Sequence, residues 1–213
     1  MNTDVELQDF GQQDFELPAE LAAVAADEAA ALARLHGKLA SAAAADGLLD
    51  VAYRVMDSPV GPLLLAGTDA GLVRVAFARE GHDAVLEQLA SAISPRLLRA
   101  PARLDAAARE LDEYFARRRH SFDLALDFRL AKGFRREVMA HLPEIGYGHT
   151  ASYAAVAALT SSPRAVRAVG TACARNPLPL VVPCHRVIRS DGSQGAYLGG
   201  PEAKALLLAL ESA

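Results

Sequence analysis

PRAVRAVGTACARNPLPLVVPCHRVI, residues 163–188, divides into a half with helical spacing and a half without it. Pro163 suits a first helical position, Ser162 can cap it and Asn176-Pro177 closes it, so a helix is expected over 163–175. On that helix Val166, Val169 and Cys173 share an apolar stripe, while Arg164, Arg167, Thr171 and Arg175 share a polar one. Ala165, Ala168 and Ala172 lie between the stripes and are small enough to allow close approach. A second helix is expected over 152–159, and the three-residue turn after Leu159 gives the pair helix-turn-helix proportions. Any helical hairpin with a charged outer face reads the same way, so spacing alone leaves DNA binding open. Past Pro177 the chain turns apolar, and Val181–Ile188, VVPCHRVI, delivers Pro183, Cys184, His185 and Arg186 together.

Outward from this stretch, helices are expected over 133–142 and 201–211. Upstream the apolar period drops to two in Ala52–Met56, Leu63–Ala66 and Leu72–Phe77, separated by Ser58-Pro59-Val60-Gly61-Pro62 and Asp69-Ala70-Gly71. That is turn chemistry between short strands, so a three-stranded antiparallel meander is expected. Helices should follow over 82–93 and 104–118, the second with alternating Arg and Glu on a solvent face, and a linker near Asp123–Lys132. The expected fold class is α+β: residues 51–131 as a small α/β domain around the three-stranded sheet, and residues 132–213 as a helical domain with the helix-turn-helix and the Cys184 loop. Residues 1–50 are an acidic, Ala-rich extension, expected to be disordered over 1–17 and helical over Pro18–Ala45, where Leu21, Val24, Ala25, Glu28, Leu32 and Leu35 recur at helical spacing. Its readings are a solvated leader or an acidic arm that shields a basic surface.

The net charge of −4 over 213 residues hides an asymmetry. Residues 1–50 hold ten acids and two bases, residues 51–131 eleven of each, and residues 132–213 nine bases and five acids. A polyanionic partner would therefore meet the C-terminal part. Asp4, Glu6 and Asp9 stand where a secretory signal would need positive charge, and no apolar run nears the roughly 20 residues that span a bilayer, so a cytoplasmic protein is expected. The two cysteines, Cys173 and Cys184, lack the spacing of a zinc site.

A thiol attacks only as thiolate, and its free pKa of about 8.5 requires a base or a positive charge beside it. His185 adjoins Cys184 in sequence, yet neighbouring side chains often diverge, so contact would need a bridging water or another pairing. The alternative for Cys184 is a small core residue, which is also the reading for Cys173 on the apolar stripe of its helix.

The segment 176–188, NPLPLVVPCHRVI, with GAYLGG at 195–200, resembles the O6-alkylguanine-DNA alkyltransferases, the methylated-DNA-protein-cysteine methyltransferases. The likeness extends through ASYAAVAAL and PRAVRAVGTACARNP, and more loosely to SPVGPLLLAGTDAGLVRVAF, covering Val51–Glu211. It implies single-turnover repair of double-stranded DNA without a cofactor, taking the alkyl group from O6-alkylguanine, and O4-alkylthymine as well, onto Cys184. His185 matches the residue that accepts the thiol proton through a water, and Glu211 the carboxylate that orients it. Tyr153 matches the tyrosine that serves the departing base at N3, and Asn176 a turn-forming asparagine before the site.

Arg167 matches the finger that fills the stack when the nucleotide is swung out into the protein. Ala165, Ala168, Thr171, Arg164 and Arg175 would then face the minor groove with little sequence preference. The pocket would be lined by Tyr153, Pro179, Val187, Ser190, Tyr197 and Leu198. Some relatives carry serine at Leu198, which bears on bulky adducts, and some hold zinc in the N-terminal domain, for which this chain has no cysteine before Cys173. No metal is expected. A monomer is expected, with cooperative assembly on DNA open. The competing functions are a damage-binding module without transfer, against which Cys184 itself counts, and a Cys-His hydrolase unrelated to DNA.

Overall fold

The computed structural model describes residues 19–212. These fall into two units, one ending at Lys38 and one running on from Leu39. Helix α1, Ala19–Ala45, crosses that boundary, and the expectation of disorder over 1–17 lies outside the described residues. At the end of α1, Ala40 and Ala43 pack with Leu49, Ala52 and Ala100.

The three expected strands are present as β1, Val51–Met56, β2, Leu63–Thr68, and β3, Gly71–Phe77, paired antiparallel in sequence order. The sheet is nonetheless four-stranded and mixed, which corrects the three-stranded antiparallel reading. After helix α2, His82–Ala92, strand β4, Leu97–Arg99, pairs parallel with β1, giving the order β3-β2-β1-β4. The three residues of β4 are too few to display a period, and pairing with β1 makes them a strand.

Both faces of the sheet are covered, so β2 reads as a nearly unbroken apolar run. Leu64, Ala66, Val73 and Ala76 face Val85 and Leu89 of α2. Leu63, Leu65, Val75 and Phe77 face the main core, which includes Leu111 and Tyr114 of helix α3, Asp105–Phe115. The same core holds Val138 and Met139 of helix α4, Phe134–His141, so the sheet and the C-terminal helices share one hydrophobic interior. Helix α3 stops earlier than the sequence suggests, and Glu110 turns inward at 4% exposure to accept the Asp123 N–H at 2.8 Å. The 123–132 segment is tied to β3, with Leu72 N–H donating to Ala125 O and Asp127 N–H to Leu72 O, each at 2.8 Å.

Beyond α4 come strand β5, Ala151–Ser152, helix α5, Tyr153–Ala158, and helix α6, Val166–Ala174. A 3-10 turn, Cys184–Arg186, strand β6, Val187–Ile188, and helix α7, Gly200–Glu211, complete the chain. Helix α6 begins later than expected: Ala165 occupies the N-cap position with no side-chain cap, and Pro163 lies outside the helix. The Glu137 carboxylate explains this. It takes both the N–H and the hydroxyl of Ser161, so α4 holds the 159–165 connection as a longer turn than three residues. The buried stripe of α6 is Val169, Ala172 and Cys173, whereas Val166, expected on that stripe, is 38% exposed.

Candidate active site

Two short elements bring the reactive segments together. Strands β5 and β6 pair in parallel, Ala151 with Val187 and Ser152 with Ile188, which sets the start of α5 beside the end of the Cys184–Arg186 turn. Ser152 caps α5 by accepting the Ala155 N–H at 3.0 Å, so the helix starts at Tyr153. Tyr153 is half-buried against Gly195, where any Cβ would collide with the tyrosine hydroxyl.

Asn176 organises the loop that carries the cysteine. Its Oδ1 accepts the Leu178 N–H at 2.9 Å, and its Nδ2 donates to Val182 O at 2.8 Å and to Cys184 Sγ at 3.1 Å. Leu180, between these contacts, is held at φ +74°, a left-handed conformation that a branched residue enters only when its surroundings impose it. Asn176 thus both ties the turn and supplies a donor to the sulfur, a contact that the sequence motif alone does not disclose.

Cys184 is 2% exposed, and burial pushes its thiol up to about 11, against the lowering effects of the Asn176 donor and the Lys204 charge. The resting sulfur is therefore protonated at neutral pH, and any attack must begin by moving that proton. His185, the next residue, carries the imidazole of this cluster. Its Nε2 lies 2.8 Å from Glu211 Oε1, and because an ionised carboxylate only accepts, the ring proton belongs on Nε2. Nδ1 is left as a buried acceptor without a protein partner. Burial, opposed by Glu211, holds the imidazole below its ordinary pKa and so neutral. Among the described residues no direct hydrogen bond joins this imidazole to Sγ. The Tyr197 hydroxyl is likewise buried without a partner, and its ring packs edge-on to His185 at 6.2 Å.

Glu211 sits at the end of α7, yet it is 4% exposed and densely held. Oε2 accepts from Arg186 Nε at 2.8 Å, and Oε1 accepts from Arg186 Nη2 at 3.0 Å and from the Tyr114 hydroxyl at 2.7 Å. Gly148, at φ +73°, permits the close approach: a Cβ there would lie 2.9 Å from Glu211 O. Burial would raise this carboxyl, but the bonds from His185 and Arg186 outweigh it and hold the group at about 2.

Arg186 braces the fold: it is buried and also donates to Ile145 O at 2.6 Å. Lys204 escaped the sequence reading altogether. It is fully buried and donates to Val187 O at 2.6 Å. The available signal was its place on α7, since Lys204, Leu207 and Glu211 recur at helical spacing and share the buried face. Tyr114 carried no signal, being far away in sequence.

The remaining named residues divide between the core and the surface. Pro179, Val187 and Tyr197 are buried, Leu198 is half-buried, and Ser190 is exposed beyond β6, so it does not join the buried cluster. Leu198 lines a groove of about 340 Å³ with Arg74, Glu80 and Arg175. Arg164, Arg167, Ala168, Thr171 and Arg175 are exposed, and Ala165 is partly so. Thr171, Ala168 and Arg175 share a second groove with Lys132 and Arg135. Among the described residues no group of three His, Cys, Asp or Glu side chains could hold a metal ion, and no helix is long and apolar enough to cross a membrane.

Residues 51–128 match the family model of the 6-O-methylguanine DNA methyltransferase ribonuclease-like domain, and residues 133–213 that of its DNA binding domain. A methylated-DNA-protein-cysteine methyltransferase of Methanosarcina barkeri is 40% identical over 159 residues, 75% of this chain and 96% of the relative. The crystal structure of Mycobacterium tuberculosis O6-methylguanine methyltransferase superposes with a TM-score of 0.66 at 36% identity, covering 76% of this chain and 93% of that one. The structure of the same organism's OGT in complex with DNA gives a TM-score of 0.63 at 35% identity, over 75% and 92% of the two chains. Agreement at this level over nearly the full length of the relatives, joined to the Cys184 loop described above, means that the chain belongs to the methylated-DNA-protein-cysteine methyltransferase family.

Proposed function

We propose that this protein repairs alkylated DNA by direct reversal, accepting the alkyl group of O6-alkylguanine, and of O4-alkylthymine, on Cys184 in a single turnover. The thiol proton passes through a water to His185 Nδ1, and Glu211 stabilises the imidazolium that forms. Sγ then attacks the alkyl carbon in line, a carbon–sulfur bond forms as the carbon–O6 bond breaks, and guanine leaves with the bonding pair. Tyr153 meets the charge that develops on the base. A thioether has no hydrolytic exit here, so each molecule reacts once.

Helices α5 and α6 act as a helix-turn-helix that enters the minor groove, with Ala165 and Ala168 allowing close approach. Arg167 fills the space left by the extruded nucleotide, and Arg164, Thr171 and Arg175 lie along the backbone. Pro179, Val187, Tyr197 and the Leu198 backbone form the guanine pocket. Residues 51–131 and 132–213 are read as the two domains of a monomer, with residues 1–50 as an extension. The observation that carries this reading is the buried imidazole whose Nε2 is engaged by Glu211 while Nδ1 stays without a protein partner, one residue along the chain from a protonated thiol. Incubation with a duplex containing O6-methylguanine should add the mass of one methyl group to the peptide bearing Cys184. An unmodified peptide under conditions of full DNA binding would reject the proposal, and repeated turnover on an ester or amide would favour a hydrolase.

A further inference from the structure

Glu211 receives more donors than a His-carboxylate pair requires, and one comes from the sheet-bearing part of the chain, to which no step of the reaction is assigned. Tyr114, on the last turn of α3, is fully buried, and its hydroxyl donates to Glu211 Oε1 at 2.7 Å. That oxygen also faces His185 Nε2 at 2.8 Å and Arg186 Nη2 at 3.0 Å. A carboxylate oxygen offers two lone pairs, so three donors on one oxygen compete for the same charge. The ring cannot swing away, because Phe115 and Phe122 pack on it with centroids 5.4 Å distant and Tyr147 at 6.2 Å.

We infer that Tyr114 is a positioning residue for alkyl transfer, fixing the Glu211 carboxylate and drawing off part of its charge so that His185 keeps Nδ1 unprotonated. The inference rests on reading Cys184, His185 and Glu211 as the reacting group. The other ionisable groups around this network are Arg186 and Tyr147 near Tyr114 and Glu211, Arg186 and Lys204 near His185, and Tyr197 packed edge-on to His185, with Cys184 and Glu80 acting on Tyr197. None of them replaces the Tyr114 hydroxyl on Oε1 except Arg186, which already spans both carboxylate oxygens.

The test is the pH dependence of methyl transfer from an O6-methylguanine duplex by wild type and by Tyr114→Phe, which removes one oxygen and keeps the ring. Without that donor the Glu211 charge falls more heavily on the His185 N–H, imidazolium is favoured, and the acid limb of the rate profile moves up by about half to one pH unit. Transfer then drops roughly three- to tenfold on that limb and little above it, while DNA affinity holds. An unmoved limb, with only a lower melting temperature, reduces Tyr114 to packing and overturns the inference. Should that variant fail to fold, a fluorotyrosine introduced at position 114, a stronger donor of nearly the same shape, shifts the limb down; no shift overturns the inference equally. Wild type that never methylates Cys184 would instead overturn the reading of the site, so the two failures are distinct.

Discussion

The two cysteines of this chain are both buried, at 4% exposure for Cys173 and 2% for Cys184, and burial raises the pKa of both thiols. Their surroundings differ in what else is present. Cys173 faces the interior from the regular helix α6, among Val169 and Ala172, where the helix satisfies its own backbone. Cys184 lies in an irregular turn with the Asn176 amide on its sulfur, the Lys204 charge acting on it and an imidazole next in sequence. Burial therefore does not distinguish a nucleophile from a core residue. Polar groups that lower the cost of the thiolate and receive its proton do, and an irregular backbone is what leaves room for them.

The sharpest way to break this comparison is to delete each sulfur in turn. Cys184→Ala should abolish methyl transfer while DNA binding persists, whereas Cys173→Ala should transfer normally, as read by peptide mass. Transfer that survives the first substitution and fails with the second would reverse the assignment. A smaller effect is expected for Asn176→Ala, which removes the donor to Sγ and two loop contacts. Stability should fall by about 2–3 kcal/mol in urea unfolding. Transfer should slow roughly tenfold, the worth of one pKa unit on the thiol.

Lys204→Met keeps most of the side-chain volume and removes a buried cation that acts on both sulfurs. Both thiols should become still harder to ionise, and transfer should slow about threefold to tenfold through Cys184, the change at Cys173 having no effect on the rate. An unchanged rate would show that the lysine serves only the Val187 carbonyl. The smallest effect concerns acid stability. The folded Glu211 carboxyl is held to about 2, below its ordinary value of 4.5, so its contribution is complete above about pH 4.5 and fades as pH falls through about 2. Unfolding curves of wild type and Glu211→Gln should therefore converge over that window; a constant gap down to pH 2 would mean that the carboxyl is not held ionised.

How much of this was legible in the sequence depended on how local each signal was. The strands β1 to β3 and most of the helices lie close to where period and turn residues place them, because alternation and helical spacing are written in neighbouring residues. Cys184, His185 and the loop asparagine stand in one short motif, and the likeness to a known family pointed to Glu211. Ser162 and Pro163 illustrate the limit: a good local cap was overridden when Glu137, on another helix, took the N–H and hydroxyl of Ser161. Strand β4 exists only because β1 offers an edge, and Glu110 faces inward only because Asp123 returns to meet it.

The sequence by itself determined the α+β character, the reactive sulfur and the basic face of the C-terminal part, since each follows from residue types at fixed spacing. Tertiary structure alone decided that the sulfur rests as a thiol under Asn176, that Arg186 and Tyr114 grip Glu211, and that Lys204 is buried behind Val187. Those outcomes depend on burial and on partners as far apart as Tyr114 and Glu211, and the charge state of a group is set by what surrounds it in space rather than by what adjoins it in the chain.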